Sequence, residues 1–417
     1  MNLFPALEDS ALTSMNLLNE VAERHPAAIS FAAGRPTEEH FSYADIGRYL
    51  DAYRTYLMQD KGYTDAQVNR ELMQYGRTAG VINDLVARNL LVDEGITASP
   101  SSIVVTVGCQ EAMFLVLRAL RASSSDVVLA VSPTYVGLTG AARLVDMPVL
   151  PVRSGPAGVD LEDFVAQVRR ARAAGLRPRA LYLVPEFANP SGVSLSLETR
   201  QRLLALAESE DVLLLEDNPY GLFQRGFATR PPTLKALDTS ARVIYLGSFA
   251  KTAVPGARVG YVVADQQAGS GVLALELAKL KSMLTVNTSP IAQAVVGGKL
   301  LEHGCSLVSA NVREATIYRR NMSLLLNGLA SRFPSLSWTV PSGGFFVVVS
   351  VDFRADDSML AYSAEHFGVL WTPMHHFYGG NGGYGQLRLS CSAVTADQIP
   401  EGLDRLAGLV SELRRAA

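Results

Sequence analysis

Between Ile103 and Val263 the chain repeatedly alternates short β-branched runs with amphipathic segments, the rhythm of a parallel sheet covered on both faces by helices. The runs 103–107, 127–131, 149–152, 180–184, 212–215, 243–246 and 259–263 read as seven strands. Segments 110–121, 161–173 and 197–210 carry apolar residues at spacings of three and four, which is helical. After Leu273 the character changes. Helix-rich sequence runs to about 329, followed by a strand near 345–351, a helix near 359–367, a strand near 387–390 and a terminal helix from 396. The expected fold class is α/β: a large domain with a mostly parallel seven-stranded sheet flanked by helices, plus a smaller α+β domain.

Composition narrows the function. Of 417 residues 18% are charged and the formal net charge is −3, so nothing electrostatic points to nucleic acid. The apolar runs fall far short of the roughly 20 residues that cross a bilayer, so no membrane partner is expected. The first ten residues lack a basic stretch followed by an apolar one, so no secretory signal is read and a cytoplasmic location is expected. Cys109, Cys305 and Cys391 are widely separated and have no Cys-x-x-Cys spacing, which supports neither disulfides nor a metal site. The glycine-rich stretch 379–385 lacks the Gly-Lys-Ser/Thr ending of a phosphate-binding P-loop.

In an open α/β sheet, ligands bind beyond the carboxyl ends of the strands. Lys251 follows one such run, with Ser248 three residues before it and Arg258 seven after. A lysine that bonds to a phosphorylated aldehyde needs charge-assisted donors nearby, though the same residues also gather at ordinary solvated strand ends. Gly108-Cys109-Gln110 opens a helix whose free N–H groups suit a phosphate, or is simply a glycine turn. Tyr135, after the second run, is placed either to stack on a ring or to pack. Asn189, in Asn-Pro-Ser-Gly, either caps a turn or donates to a ring oxygen. Asp217, two residues after the fifth run, reads as a surface turn or as the carboxylate that keeps a pyridine nitrogen protonated, with Tyr220 beside it.

The order of these motifs resembles that of the fold-type I, class I/II pyridoxal-phosphate aminotransferases from about Ile29 to Leu406. The resemblance implies that the cofactor is pyridoxal 5'-phosphate, with Lys251 as the Schiff-base lysine and proton carrier, and Asp217 as the partner of the ring nitrogen. It implies that Asn189 and Tyr220 hold the ring oxygen, and that Tyr135 stacks on the ring. Gly108, Cys109, Gln110, Ser248 and Arg258 fall on the phosphate cup. Tyr75 resembles the tyrosine that reaches the phosphate of a neighbouring subunit, which implies a homodimer with shared sites. Arg388 resembles the arginine that grips the substrate α-carboxylate, as its paired donors suit. By the same likeness, residues 1–50 form an arm and substrate-covering segment containing Gly34, 51–300 the cofactor-binding domain and 301–417 the small domain. Two positions depart from the usual pattern: Ala250 stands where relatives often carry serine, and so does Cys109.

The stretch 29–36 is similar to the substrate-covering segment of the aminoadipate and kynurenine aminotransferase branch. Segments 105–112, 281–290 and 370–374 look more like transaminases of the 3,5-dihydroxyphenylglycine type, which make arylglycines for peptide antibiotics. The expected activity is ping-pong exchange of an amino group between an amino acid and a 2-oxo acid, with aminoadipate, kynurenine or guanidino-bearing substrates as alternatives. His375, His376, Phe377 and Tyr378 either shape the side-chain pocket or serve the surface and the packing. Decarboxylation, cyclisation or oxidation on the same cofactor are rival activities. A non-catalytic effector domain is disfavoured because only about thirty residues precede Ile29, too few for a helix-turn-helix domain. No Gly-x-Ser-x-Gly elbow or Gly-x-Gly-x-x-Gly turn follows a strand, against a hydrolase or dehydrogenase.

Overall fold

The computed structural model describes residues 1, 4, 7, 23–155, 158–226, 230–380 and 382–416; most of the arm before residue 23, and Asn381 of the glycine-rich stretch, lie outside the described residues. All seven expected runs are strands of one sheet. In chain order the sheet contains β1 (Ile103–Val107), β2 (Asp126–Ser132), β3 (Val149–Gly155), β4 (Gly158–Val159), β5 (Arg177–Leu183), β6 (Leu213–Asp217), β7 (Val243–Ser248) and β8 (Val259–Val263). The eighth member, β4, is a two-residue strand antiparallel to β3, too short to leave a periodicity in the sequence.

The spatial order is β1-β8-β7-β6-β5-β2-β3-β4. Strands β7, β6, β5, β2 and β3 run parallel, whereas β8 is antiparallel to both β7 and β1. That reversal positions the site. The carboxyl ends of β1, β2, β5, β6 and β7 share one edge, and β8 starts at that edge. Arg258, immediately before β8, therefore lies at the same rim as Lys251, just after β7.

The sheet is held by its apolar faces. Val127, Val128, Leu129, Leu214, Leu215 and Ile244 are fully buried, each such side chain contributing about 1.5–3 kcal/mol relative to exposure. Helix α1 (Gly108–Leu120) lays Ala112, Leu115 and Val116 onto the core. Helices α2 (Leu161–Ala173) and α3 (Leu197–Ser209) start at Asp160 and Ser196, whose side chains accept the N–H groups of Asp163 and Thr199.

Beyond residue 273, helices Leu273–Leu284, Pro290–Glu302 and Val312–Arg332 lead into an antiparallel sheet of Ser337–Trp338, Phe346–Ser350, Gln386–Ser390 and Thr372–Pro373. The helix expected near 359–367 is a shorter one, Asp357–Tyr362, continued by a π-helical turn. Helix Gln398–Ala416 packs on Val312–Arg332. Ile29–Ser30 pairs in parallel with Val369–Leu370, so the early segment joins this C-terminal core. Residues 50 and 300 lie inside helices Tyr43–Gln59 and Pro290–Glu302, which pack against each other. Among the described residues no helix is long and apolar enough to cross a membrane.

Candidate active site

A cavity of about 470 Å³ opens at the carboxyl edge of the large sheet. Gln110, Tyr135, Asn189, Asp217, Tyr220, Ser248, Lys251, Arg258 and Arg388 all line it, as do Gly34 and Cys109. Gly108 stands directly behind this wall. Its φ is +70°, and a Cβ there would sit 2.5 Å from Arg258 Nη2; the guanidinium thus rests on the first residue of α1, where unpaired N–H groups and the helix dipole favour an anion. Tyr75 is not part of the cavity: it is 82% exposed on the surface.

Asp217 ends β6 and is buried. Tyr182, from the adjacent β5, donates its hydroxyl to Asp217 Oδ2 at 2.6 Å, and Cys109 Sγ lies 3.6 Å from Oδ1 as a donor. The thiol is therefore turned to the carboxylate, and what Cys109 offers at the start of α1 is its backbone N–H. Burial raises the Asp217 pKa from 3.8 to about 6, with the Tyr182 and Cys109 hydrogen bonds opposing it. Cys109 itself is pushed well above the usual thiol range by burial and by the Asp217 charge, which keeps it a thiol.

Lys251 Nζ donates to the Gly34 carbonyl at 2.8 Å. Burial lowers its pKa from 10.5 to about 8, Arg258 and Arg388 repel its charge further, and Asp217 partly compensates. The result is an amine that loses its proton well below the pH at which a solvated lysine does, and so is more available as a nucleophile or base. Ser248 Oγ accepts the Ala250 N–H at 3.2 Å and fixes the start of the lysine turn. Gly34 itself has no room for a side chain, because a Cβ would meet the Phe346 ring at 2.7 Å.

Arg388 sits on Gln386–Ser390 and is buried between the two cores. Its Nη1 donates to Asn189 Oδ1, and its Nη2 to the Ala32 carbonyl at 2.8 Å and to Thr372 Oγ1 at 3.1 Å. The Phe346 and Phe377 rings lie 4.3 and 5.1 Å from the guanidinium carbon. Burial lowers its pKa to about 10, and its buried Nε has no hydrogen-bond partner among the described residues. A buried cation lining a cavity suits an anionic guest. Tyr220 packs edge-on against Phe345 and Phe346, at 5.2 and 5.4 Å between centroids, and lines the cavity together with Asn189.

The model for aminotransferase class I and II matches residues 46–406. The chain belongs to that family. It is 57% identical over 413 residues to the (S)-3,5-dihydroxyphenylglycine transaminase of Amycolatopsis orientalis, covering 98% of this chain and 94% of that protein. The 2-aminoadipate transaminase of Thermus thermophilus is 31% identical over 387 residues, 92% of this chain and 90% of that one. Among solved structures, Pyrococcus horikoshii kynurenine aminotransferase superposes with a TM-score of 0.84 at 26% identity, covering 99% of this chain and 97% of that one.

This aminotransferase therefore acts on amino acids and 2-oxo acids with pyridoxal phosphate as cofactor, and its cavity fits that group. A buried carboxylate suits the pyridine nitrogen, a lysine of lowered pKa suits the aldehyde, and the N-terminus of α1 with Arg258 suits the phosphate. Two contributors were not legible beforehand. Tyr182 sits in the middle of a strand whose only message is burial, and the thiol direction of Cys109 depends on the packing of α1 on β6 and β5. The Ala32 carbonyl reaches Arg388 because the early segment joins the C-terminal core, and Thr372 because it is the cross-strand partner of Arg388 in the antiparallel sheet.

Proposed function

We propose that this aminotransferase transfers the amino group of an arylglycine, with a ring directly on Cα, in the biosynthesis of a specialised peptide antibiotic. The observation that carries the reading is the 57% identity, along nearly the whole chain, to the dihydroxyphenylglycine transaminase. The cavity agrees with a short aromatic substrate: Val136, Val184 and Phe377 give it apolar walls, and Gln110 and Arg35 give polar groups.

Bound pyridoxal phosphate supplies a reactive aldehyde and a ring that withdraws electrons from the substrate Cα. Arg388 holds the substrate carboxylate by charge-assisted hydrogen bonds, and Asn189, already bonded to it, keeps the guanidinium in place. Asp217, ionised above about pH 6, holds a proton on the ring nitrogen that docks against it. Lys251 Nζ, increasingly neutral as the pH approaches 8, accepts the Cα proton. The Phe346 and Phe377 rings beside Arg388 exclude water from the carboxylate site. Gly108, Gln110, Ser248 and Arg258 receive the phosphate, Tyr135 stacks on the ring, and Tyr220 joins Asn189 at its oxygen.

In this reading the enzyme is a cytoplasmic homodimer in which Tyr75 reaches the partner's phosphate site. Support comes from its exposure together with that of Met73, Met283, Val286 and Ile291, and from the close approach of Gly76 to Pro290; apolar surface of this kind favours association. Residues 51–300 bind the cofactor, 301–417 form the smaller domain, and the arm 1–50 covers the substrate.

The test is a half-reaction screen of the purified holoenzyme, following loss of the cofactor absorbance with single amino acids. Arylglycines should bleach it fast, whereas aminoadipate, kynurenine and arginine-type donors should not. The reverse order overturns the substrate assignment.

A further inference from the structure

Outside the cavity, three side chains from two separate segments of the chain converge. Asp357 begins helix Asp357–Tyr362, while His375 and His376 lie on the 3-10 turn Met374–Phe377. Asp357 Oδ1 lies 2.7 Å from His376 Nε2 and 3.3 Å from His375 Nε2, and the donor atoms of all three residues lie within 4.8 Å of one another. Two donors held at about 2.0–2.2 Å from one tetrahedral ion stand about 3.3 Å apart, close to the spacing found.

The ligand set is also held in place. His375 stacks on Tyr384 with 4.9 Å between centroids at 13°, and Arg354 covers the Tyr384 ring at 3.8 Å. His375 and His376 pack on each other at 4.1 Å. Asp356 accepts the Met359 N–H and so fixes the helix start beside Asp357. His375 Nε2 is buried with no hydrogen-bond partner among the described residues, although the carboxylate is near. At 3.3 Å from Asp357 Oδ1 that nitrogen meets the carboxylate only as a loose ion pair and shares the oxygen with His376, so an ion between them would satisfy all three groups.

We propose that Asp357, His375 and His376 bind a divalent transition-metal ion, with water completing the coordination from the solvent side. Asp357 is about half exposed, which gives the ion an entry path. Two imidazoles and one carboxylate select Zn²⁺, Co²⁺ or Ni²⁺ over Mg²⁺ or Ca²⁺. The bound ion ties the helix at 357 to the turn that carries Phe377. That turn forms a wall of the substrate cavity: the Phe377 carbonyl accepts the Thr134 N–H at 2.7 Å, and the ring lies against Arg388. The role is that of a brace, with no part in the proton transfers.

Tag-free holoenzyme, dialysed against a chelator and then titrated with Co²⁺ and with Zn²⁺, is expected to bind one equivalent per chain. With Co²⁺ it should develop the visible absorption of a low-symmetry site, and Zn²⁺ should displace that signal. The variants Asp357→Asn and His375→Gln keep shape and polarity, and should bind at least about tenfold more weakly with cofactor absorbance and far-ultraviolet dichroism unchanged. A parent that binds no stoichiometric metal, or variants that bind as tightly as the parent, would show that the cluster is only an ion pair and overturn the assignment.

Discussion

Replacing Asp217 by asparagine separates the carboxylate's charge from its shape. The pKa of Asp217 stands at about 6 rather than 3.8 because burial penalises the ionised form more than the Tyr182 and Cys109 hydrogen bonds favour it. At about 1.4 kcal/mol per pH unit of displacement, the ionised carboxylate destabilises the cofactor-free fold by about 3 kcal/mol. Well below pH 4 the group is protonated in both folded and unfolded chains and nothing is lost. As the pH rises from about 4 to about 6 the unfolded chain ionises first, so folded stability falls across that window and levels off above it. Denaturant unfolding of the apoenzyme from pH 4 to 7, parent against Asp217→Asn, reads this directly. The difference between the two isolates the residue from Glu94 and Glu216, which also titrate high because they are buried. The parent should lose about 3 kcal/mol relative to the variant over the window. The same substitution should slow the half-reaction on the order of 10²–10³-fold, as loss of a directed electrostatic partner does. A flat difference, or a parent that gains stability relative to the variant as pH rises, would refute the idea that the cavity holds a strained anion ready for a cation.

Other perturbations test separate parts of the site. Arg388→Lys loses the paired donors to Asn189 and to Ala32 and Thr372; at about 1.5–3 kcal/mol per charge-assisted hydrogen bond, steady-state kcat/KM should fall about 10–150-fold for amino and oxo acids alike, with cofactor affinity unchanged. Gly108→Ala forces a Cβ into a left-handed backbone and against Arg258, so melting should show about 1–2 kcal/mol of lost stability, and cofactor titration about tenfold weaker binding. Lys281→Met strands Glu111, whose buried carboxylate also accepts the Val107 N–H and the Thr285 hydroxyl beneath α1; unfolding should register about 3–5 kcal/mol of destabilisation, largely relieved by adding Glu111→Gln.

The strand runs were legible because both faces of the sheet are covered, so each strand announces itself as a short apolar stretch bounded by turns. The segments 161–173 and 197–210 were legible because three- and four-residue spacing agrees with capping residues at Asp160 and Ser196. Strand β4 and the shortened helix at 357–362 were not, since two residues carry no period and a π turn imitates helical spacing. The candidate site came from the sheet rule: residues just after each strand line the cavity, and the antiparallel β8 explains how Arg258, just before a strand, joins them.

Order along the chain was enough to determine the family, the cofactor and the edge of the sheet at which the chemistry occurs. Those depend on local signals: a strand, the turn after it, and the residue type that stands there. Tertiary structure alone decided the electrostatics. The pKa values of Asp217, Lys251 and Arg388 arise chiefly from burial, with neighbouring charges adding to the Lys251 shift; Tyr182 and the Cys109 thiol reach the carboxylate only when β5, β6 and α1 pack; and Asp357 meets His375 and His376 only after the C-terminal sheet has folded. Burial and cross-element distance have no signature in a linear pattern, because they are properties of the packed core rather than of any segment within it.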